Sequence, residues 1–170
     1  AEVVKLLLAY GIDANDVSAS DGFTPFHRTL WTNSERHVET MRVFLEDGKV
    51  EVDFVSHVGK TGALIATELK HTKVLDILLR EYGADPNFRN KRGDALVHVA
   101  IRAQDEKTLD MLLNNGADIT LEDAKGKSCR KIAKQLRSKA VLERINRAFE
   151  ELNTPNPNDN DRKENRGEEL

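Results

Sequence analysis

The sequence predicts an all-α fold, a stack of helix-turn-helix repeats, and three observations carry that prediction. Four stretches open on the same kind of glycine turn: "DGFTPFHRTL" (21–30), "VGKTGALIAT" (58–67), "RGDALVHVAI" (92–101) and "KGKSCRKIAK" (125–134). Their glycines, Gly22, Gly59, Gly93 and Gly126, stand 37, 34 and 33 residues apart, a period typical of helical repeat arrays. A second signature recurs out of phase with the first. "LLLAYGIDAN", "FLEDGKVEVD", "LLREYGADPN" and "LLNNGADITL" each join a leucine-rich stretch to glycine and aspartate. Between the two, apolar residues fall at helical spacing: Val38, Met41 and Leu45; Val74, Ile77 and Leu78; Leu109, Leu112 and Leu113. That spacing lets a helix bury one face.

Each unit therefore reads as a turn glycine, a short helix, a second apolar helix, and a glycine where a left-handed C-cap excludes a side chain. Residues 1–17 hold only the second helix of a unit. Full units follow at 18–55, 56–88 and 89–121, then a capping unit at 122–152 and a polar tail at 153–170. Val3, Val4, Leu6, Leu7 and Leu8 need a partner helix that nothing before Ala1 supplies, so a piece of a longer or trimmed chain is expected. The first full unit is longer than the others, and its extra residues are assigned to "WTNSERH" and "DGKVEVD". "SKAVLERINRAFEELN" reads as a closing amphipathic helix with Val141, Ile145, Ala148 and Leu152 on one side. The Pro/Asn-rich tail beyond it is expected to be disordered.

Of 170 residues, 39 % are hydrophobic and 32 % charged, with a net charge of -3. This fits a soluble protein with a modest core and does not point to nucleic acid. No apolar run approaches the length of a membrane span, and no basic segment with a long apolar stretch opens the chain, so no secretory signal is expected. One cysteine, Cys129, excludes an internal disulfide and suits a reducing, intracellular setting, cytoplasmic or nuclear.

The two signatures resemble the ankyrin repeat, whose unit of about 33 residues opens G-x-T-P-L-H-x-A and closes L-L-x-x-G-A-D-x-N. "DGFTPFH" and "YGADPN" are the nearest matches, and the resemblance covers roughly residues 1 to 150. It implies an ankyrin-repeat solenoid with short β-hairpin turns. It also implies that His27 and His98, in the motif's histidine slot, tie neighbouring turns. Gly62 and Leu64 replace the motif's proline and histidine, and the missing proline predicts a looser helix start. Cys129 and Lys131 stand at those positions in the last unit, a departure that suits a capping repeat facing water.

Gly59-Lys60-Thr61 looks like the end of a phosphate-binding loop, but that motif needs a glycine where Phe54 stands. The stretch instead aligns with Gly22-Phe23-Thr24 as a repeat turn. His27, His37, His57, His71 and His98 include no i, i+4 helical pair, and no Cys-x-x-Cys exists, so no metal or other cofactor is expected. Cys129 beside Arg130 and Lys131 invites thiolate chemistry, but no base accompanies it, and an inert thiol is the better reading. No serine elbow and no matched carboxylate pair appears, so no catalytic residue and no small-molecule substrate are assigned.

Two charge features remain. Arg89, Lys91 and Arg92 share one predicted hairpin tip. Lys125, Lys127, Arg130, Lys131, Lys134, Arg137 and Lys139 form a basic run without an acid, either a solvated face or a surface for an acidic partner. Trp31, Glu68 and Arg102 occupy one slot at the end of successive first helices, which in ankyrin proteins faces the concave groove. An exposed tryptophan there reads as an interface anchor, unless the adjoining insertion folds over its ring. The resemblance implies a non-catalytic, monomeric module that presents this groove and its hairpin tips to a protein partner. The alternatives are an IκB-like inhibitor of a Rel-type transcription factor, the substrate-recruiting region of a ubiquitin-ligase adaptor or other larger protein, and anionic lipid or RNA binding through the basic last repeat. The resemblance also implies possible hydroxylation of Asn87 and Asn15, each preceded eight residues earlier by leucine.

Overall fold

The computed structural model describes residues 1–48 and 50–153. Among these residues lie nine helices: α1 (Glu2–Ala9), α2 (Pro25–Thr29), α3 (Glu35–Glu46), α4 (Gly62–Glu68), α5 (Thr72–Arg80), α6 (Leu96–Arg102), α7 (Glu106–Asn114), α8 (Cys129–Leu136) and α9 (Lys139–Asn153). The expected disordered tail lies outside the described residues from 154 onward. Each first helix packs on its second: α2 on α3, α4 on α5, α6 on α7 and α8 on α9. Along the stack α4, α6 and α8 form one layer, while α5, α7 and α9 form the other.

Local chemistry starts each first helix. Thr24, Thr61 and Ser128 accept the backbone N–H three residues on, at 3.4, 3.3 and 3.4 Å, as N-caps do. Ala95 lacks a hydroxyl, and there the backbone N–H of Ala95 donates instead to Nδ1 of His98, at 3.0 Å. Lys70, Gln104 and Arg137 adopt left-handed φ values of 58°, 52° and 55°, so the chain turns between paired helices at the same place in three units. The hairpins are minimal: isolated antiparallel bridges join Arg89 to Ala95 and Glu122 to Ser128.

The core is the contact surface of the two layers. Val38, Met41 and Leu45, Val74, Ile77 and Leu78, and Leu109 and Leu112 are buried as expected, with Leu113 half-buried. On α9, Val141, Ile145 and Ala148 are buried, but Leu152 is exposed. It belongs to the final turn of α9 and borders an open hollow of about 220 Å³ with Leu113 and Ile119 instead of sealing it. On α1 only Leu8 is buried, while Val3, Leu6 and Leu7, and Tyr10 and Ile12 just beyond it, face out.

One expectation is corrected. Among the described residues the first full unit carries no inserted loop. Paired helices begin ten residues apart in all four units, at 25 and 35, 62 and 72, 96 and 106, and 129 and 139. The three extra residues extend a helix: α3 has 12 residues where α5 and α7 have 9. At Gly62 the missing proline does not shorten the helix, since α4 runs seven residues against five for the proline-led α2. A Cβ at Gly62 would stand 3.0 Å from Leu30 Cδ1 and 3.3 Å from two ring carbons of Phe26. Glycine is there because the large side chains of the preceding repeat occupy the proline's space.

Charged residues end the stack. Inner repeats bury Phe26, Ala63 and Val97 at one position, His27, Leu64 and His98 at the next, and Leu30, Thr67 and Ile101 at a third. The last repeat has exposed Arg130, Lys131 and Lys134 at those positions, with Arg130 over the ring of Phe149 at 4.6 Å. Much of the basic run is thus the polar outer face a terminal repeat requires.

Candidate functional site

One side-chain pair recurs along the first-helix side of the array. In every unit the residue after the turn glycine contacts the residue eight positions on, in the slot of Trp31, Glu68 and Arg102. Phe23 and Trp31 meet edge to face, with centroids 5.3 Å apart at 84°. Lys60 and Glu68 form an ion pair, as do Asp94 and Arg102 with the signs exchanged, at 2.9 Å. Lys127 donates to Gln135 at 2.9 Å. The turn and the helix end are fixed by the repeat, so the pairs form a ladder whose chemistry changes from rung to rung.

Two open hollows flank the Lys60–Glu68 rung. One, of about 190 Å³, is lined by Phe23, Trp31, Lys60, Ile65, Glu68 and Leu69. The other, of about 250 Å³, is lined among others by Val58, Leu64, Asn90, Lys91 and Arg92, and again by Lys60 and Glu68. Trp31 and Glu68 therefore share a wall; Arg102 lines neither hollow. Trp31 is 43 % exposed and carries the Arg28 guanidinium 5.5 Å from its ring centre. Its support comes from Phe23 and Arg28, and the segment after it leaves the indole open.

The charged candidates divide into engaged and open groups. Arg102 is held between Asp94 and Asp123, at 2.9 and 2.6 Å. Asp123, which the sequence reading did not single out, is a junction: its other oxygen accepts the backbone N–H of Lys125 and Lys127, both at 2.8 Å. Burial acts to raise the Asp123 pKa, but those amides and Arg102 hold it below the ordinary carboxylate value. Arg89 donates to the carbonyls of Gly93 and Glu122 at 2.7 and 2.9 Å. Lys91 lays its stem across Gly59 and donates to the carbonyl of His57. Gly59 has φ 81° and no room for a Cβ beneath that stem, which explains the glycine of Gly-Lys-Thr as a turn residue. The side chains of Arg92 and Lys125 have no carboxylate partner among the described residues.

Among the remaining candidates, His27 and His98 tie a first helix to the segment that leads into the next repeat, and Asn87 bonds across to the next repeat. His27 bonds Thr24 at 2.8 Å and the Phe54 carbonyl at 3.2 Å. Nε2 of His98 donates to the Leu121 carbonyl at 3.0 Å, since its Nδ1 is already an acceptor. Burial lowers both pKa values from 6.5, keeping the rings neutral near pH 7. Asn87 donates to the Gly116 carbonyl at 3.2 Å and accepts from the Asp118 amide at 2.7 Å. Asn15, half-buried, donates its backbone N–H to Asp13 at 2.8 Å. Burial pushes the Cys129 thiol up to about 12, opposite to what a reactive thiolate requires. Among the described residues no His/Cys/Asp/Glu group is arranged to hold a metal, and no helix is long and apolar enough to cross a membrane.

Stacked helix pairs with glycine turns and an open ladder on the first-helix side define a helical-repeat binding scaffold. A family model for ankyrin repeats, three copies long, matches residues 34–123, and the chain belongs to the ankyrin-repeat family. It is 40 % identical over 79 residues to the inactive serine/threonine-protein kinase TEX14 of Bos taurus, covering 46 % of this chain and 5 % of that protein. It is 32 % identical over 127 residues to the SH3 and multiple ankyrin repeat domains protein 1 of Homo sapiens, covering 74 % and 6 %. A palmitoyltransferase AKR1 of Lachancea kluyveri is 27 % identical over 140 residues, covering 82 % and 19 %. The chain thus spans a small part of each of these relatives. Ankyrin repeats are generally protein-interaction modules, and this array belongs to that kind.

Proposed function

We propose that the array is a non-catalytic module that holds a protein partner against the first-helix ladder and the hairpin tips. Trp31, Glu68 and Arg102 would form the groove slot, with Arg89, Lys91, Arg92 and Lys125 at the tips. The observation that carries this reading is Trp31 itself: a ring braced by Phe23 and Arg28 yet 43 % exposed. Such a rigid aromatic loses little conformational entropy on binding and is the type of residue that dominates interface energetics. A monomer working in a reducing intracellular compartment fits the one buried thiol. Relatives named as an inactive kinase, a multi-repeat SH3 protein and a palmitoyltransferase support a repeat region whose role is recognition beside whatever chemistry a larger protein performs.

The test is quantitative capture from cell extract on immobilised wild-type, Trp31→Phe and Trp31→Ala proteins, with thermal melts of all three. Binding should survive in the phenylalanine variant and drop by about 2 kcal/mol or more in the alanine variant, with the melting temperature lowered by only a few degrees. A Trp31→Ala protein that loses stability but keeps its affinity per folded molecule would remove the groove from the proposal.

A further inference from the structure

The binding surface is chemically polarised along the stack. Around the hollow between the first two full repeats the accessible groups are apolar: Trp31, 43 % exposed, with Leu69, 44 % exposed, on the same hollow. Towards the third and fourth repeats they are cationic: Lys91, Arg92 and Lys125. The carboxylates at that end do not offset the charge: Asp94 and Asp123 share Arg102, at 2.9 and 2.6 Å, and exposed Glu122 stands against Lys91, Arg92 and Lys125. Nearer Trp31, Asp21 binds Arg28 at 2.7 Å and Glu68 binds Lys60. Positive charge is therefore in excess at one end of a surface whose other end is apolar, on a protein of net charge -3.

Size narrows the occupant further. Hollows of about 190 and 250 Å³ fall below the ~300–1,000 Å³ of small-molecule pockets. They suit individual side chains projecting from a polypeptide. Resting on the groove reading above, we propose that the partner is an extended acidic segment. It seats a large apolar residue against Trp31 and lays carboxylates over Lys91 and Arg92. Trp31 and Arg92 belong to repeats two steps apart. With packed helices ~8–10 Å apart, the anchors are separated by ~16–20 Å, or about five to six extended residues at ~3.3 Å each.

The probe is a random peptide library displayed on phage and selected on the wild-type protein, followed by fluorescence-anisotropy titration of the enriched peptide. Enriched peptides should carry a large apolar residue about five or six positions from a pair of carboxylates. The double variant Lys91→Glu/Arg92→Glu should weaken the selected peptide at least tenfold at low salt and flatten its salt dependence. Trp31→Ala should weaken it to a similar degree, with both variants melting within a few degrees of wild type. Peptides that need Trp31 but lack carboxylates, or ignore the charge reversal, overturn the acidic-segment proposal while leaving the groove intact. Peptides indifferent to both variants overturn the groove reading as well, and a selection that enriches nothing counts against any linear occupant.

Discussion

Replacing Gly62 with alanine sets two opposing effects on one atom. Inside a helix alanine is favoured over glycine by up to ~1 kcal/mol, and by less in the first turn, where Gly62 lies. The new Cβ, however, would meet Leu30 Cδ1 at 3.0 Å and Phe26 ring carbons at 3.3 Å, inside the ~3.5–4.0 Å that carbon atoms prefer. Leu30 and Phe26 have no solvent exposure, so neither has open space to move into. Overpacking of this kind destabilises by about 1–3 kcal/mol. Packing wins, and the variant should lose about 1–2 kcal/mol, or ~3–6 °C in melting temperature for an array of this size. Urea unfolding followed by far-ultraviolet circular dichroism measures it. The same substitution in a Leu30→Val background, which lacks the clashing Cδ1, should recover at least half the loss. A stabilised Gly62→Ala, or an equal loss in both backgrounds, refutes the packing explanation for this departure from the repeat motif.

Deleting residues 139–153 uncovers the partners of Val141 and Ile145, both fully buried. Stability should fall by ~3–6 kcal/mol at about 1.5–3 kcal/mol per side chain, and an unchanged urea midpoint would contradict the capping role of α9. His27 and His98 have folded pKa values lowered from 6.5, so on acidification the unfolded chain takes up protons first. Stability should be full above 6.5 and fall as pH drops through 6.5 towards the folded values. Melting curves between about pH 7.5 and 5.5 report this, and His98→Leu, the residue that position 64 already carries, should flatten part of the slope. Cys129, buried with its pKa pushed up to about 12, should resist iodoacetamide in the native protein and label only after denaturant is added; rapid native labelling would show that the site opens. Hydroxylation of Asn87 requires the Gly116–Asp118 turn to release its amide, so intact-mass analysis of protein from its native cells should show at most a partial addition of one oxygen. Stoichiometric addition would mean that this turn opens readily.

The helical framework was legible because its signals are local. Gly22, Gly59, Gly93 and Gly126 mark the turns, and the apolar stripes of α3, α5 and α7 are complete within a dozen residues. The length of the first full unit was misread because a longer spacing between glycines does not say whether a loop or a helix absorbs it; "ERHVETMRVFLE" simply continues one helix. Gly62 read as a lost proline because its reason, the bulk of Phe26 and Leu30, lies some thirty residues away in the chain. In the candidate site, the slot of Trp31, Glu68 and Arg102 followed from repeat alignment, but its partners did not. Contact at i, i+8 is neither helical nor strand spacing, so Phe23, Lys60, Asp94 and Lys127 become visible only once a turn and a helix are folded together. Asp123 was missed for a related reason, since a carboxylate in a turn looks solvent-facing until Arg102 of the previous repeat reaches it.

Rungs that close within a repeat have a consequence for how such a surface diversifies. Phe23–Trp31, Lys60–Glu68 and Lys127–Gln135 can be exchanged as two-residue cassettes, because the bonds joining neighbouring repeats run through other residues, among them His71 and Asn87. The Asp94–Arg102 rung is different: Arg102 also grips Asp123 in the next repeat, so rewriting it disturbs the joint as well as the surface. A lineage drifting toward new partners can vary three positions along this face independently, while the fourth can change only together with its neighbour.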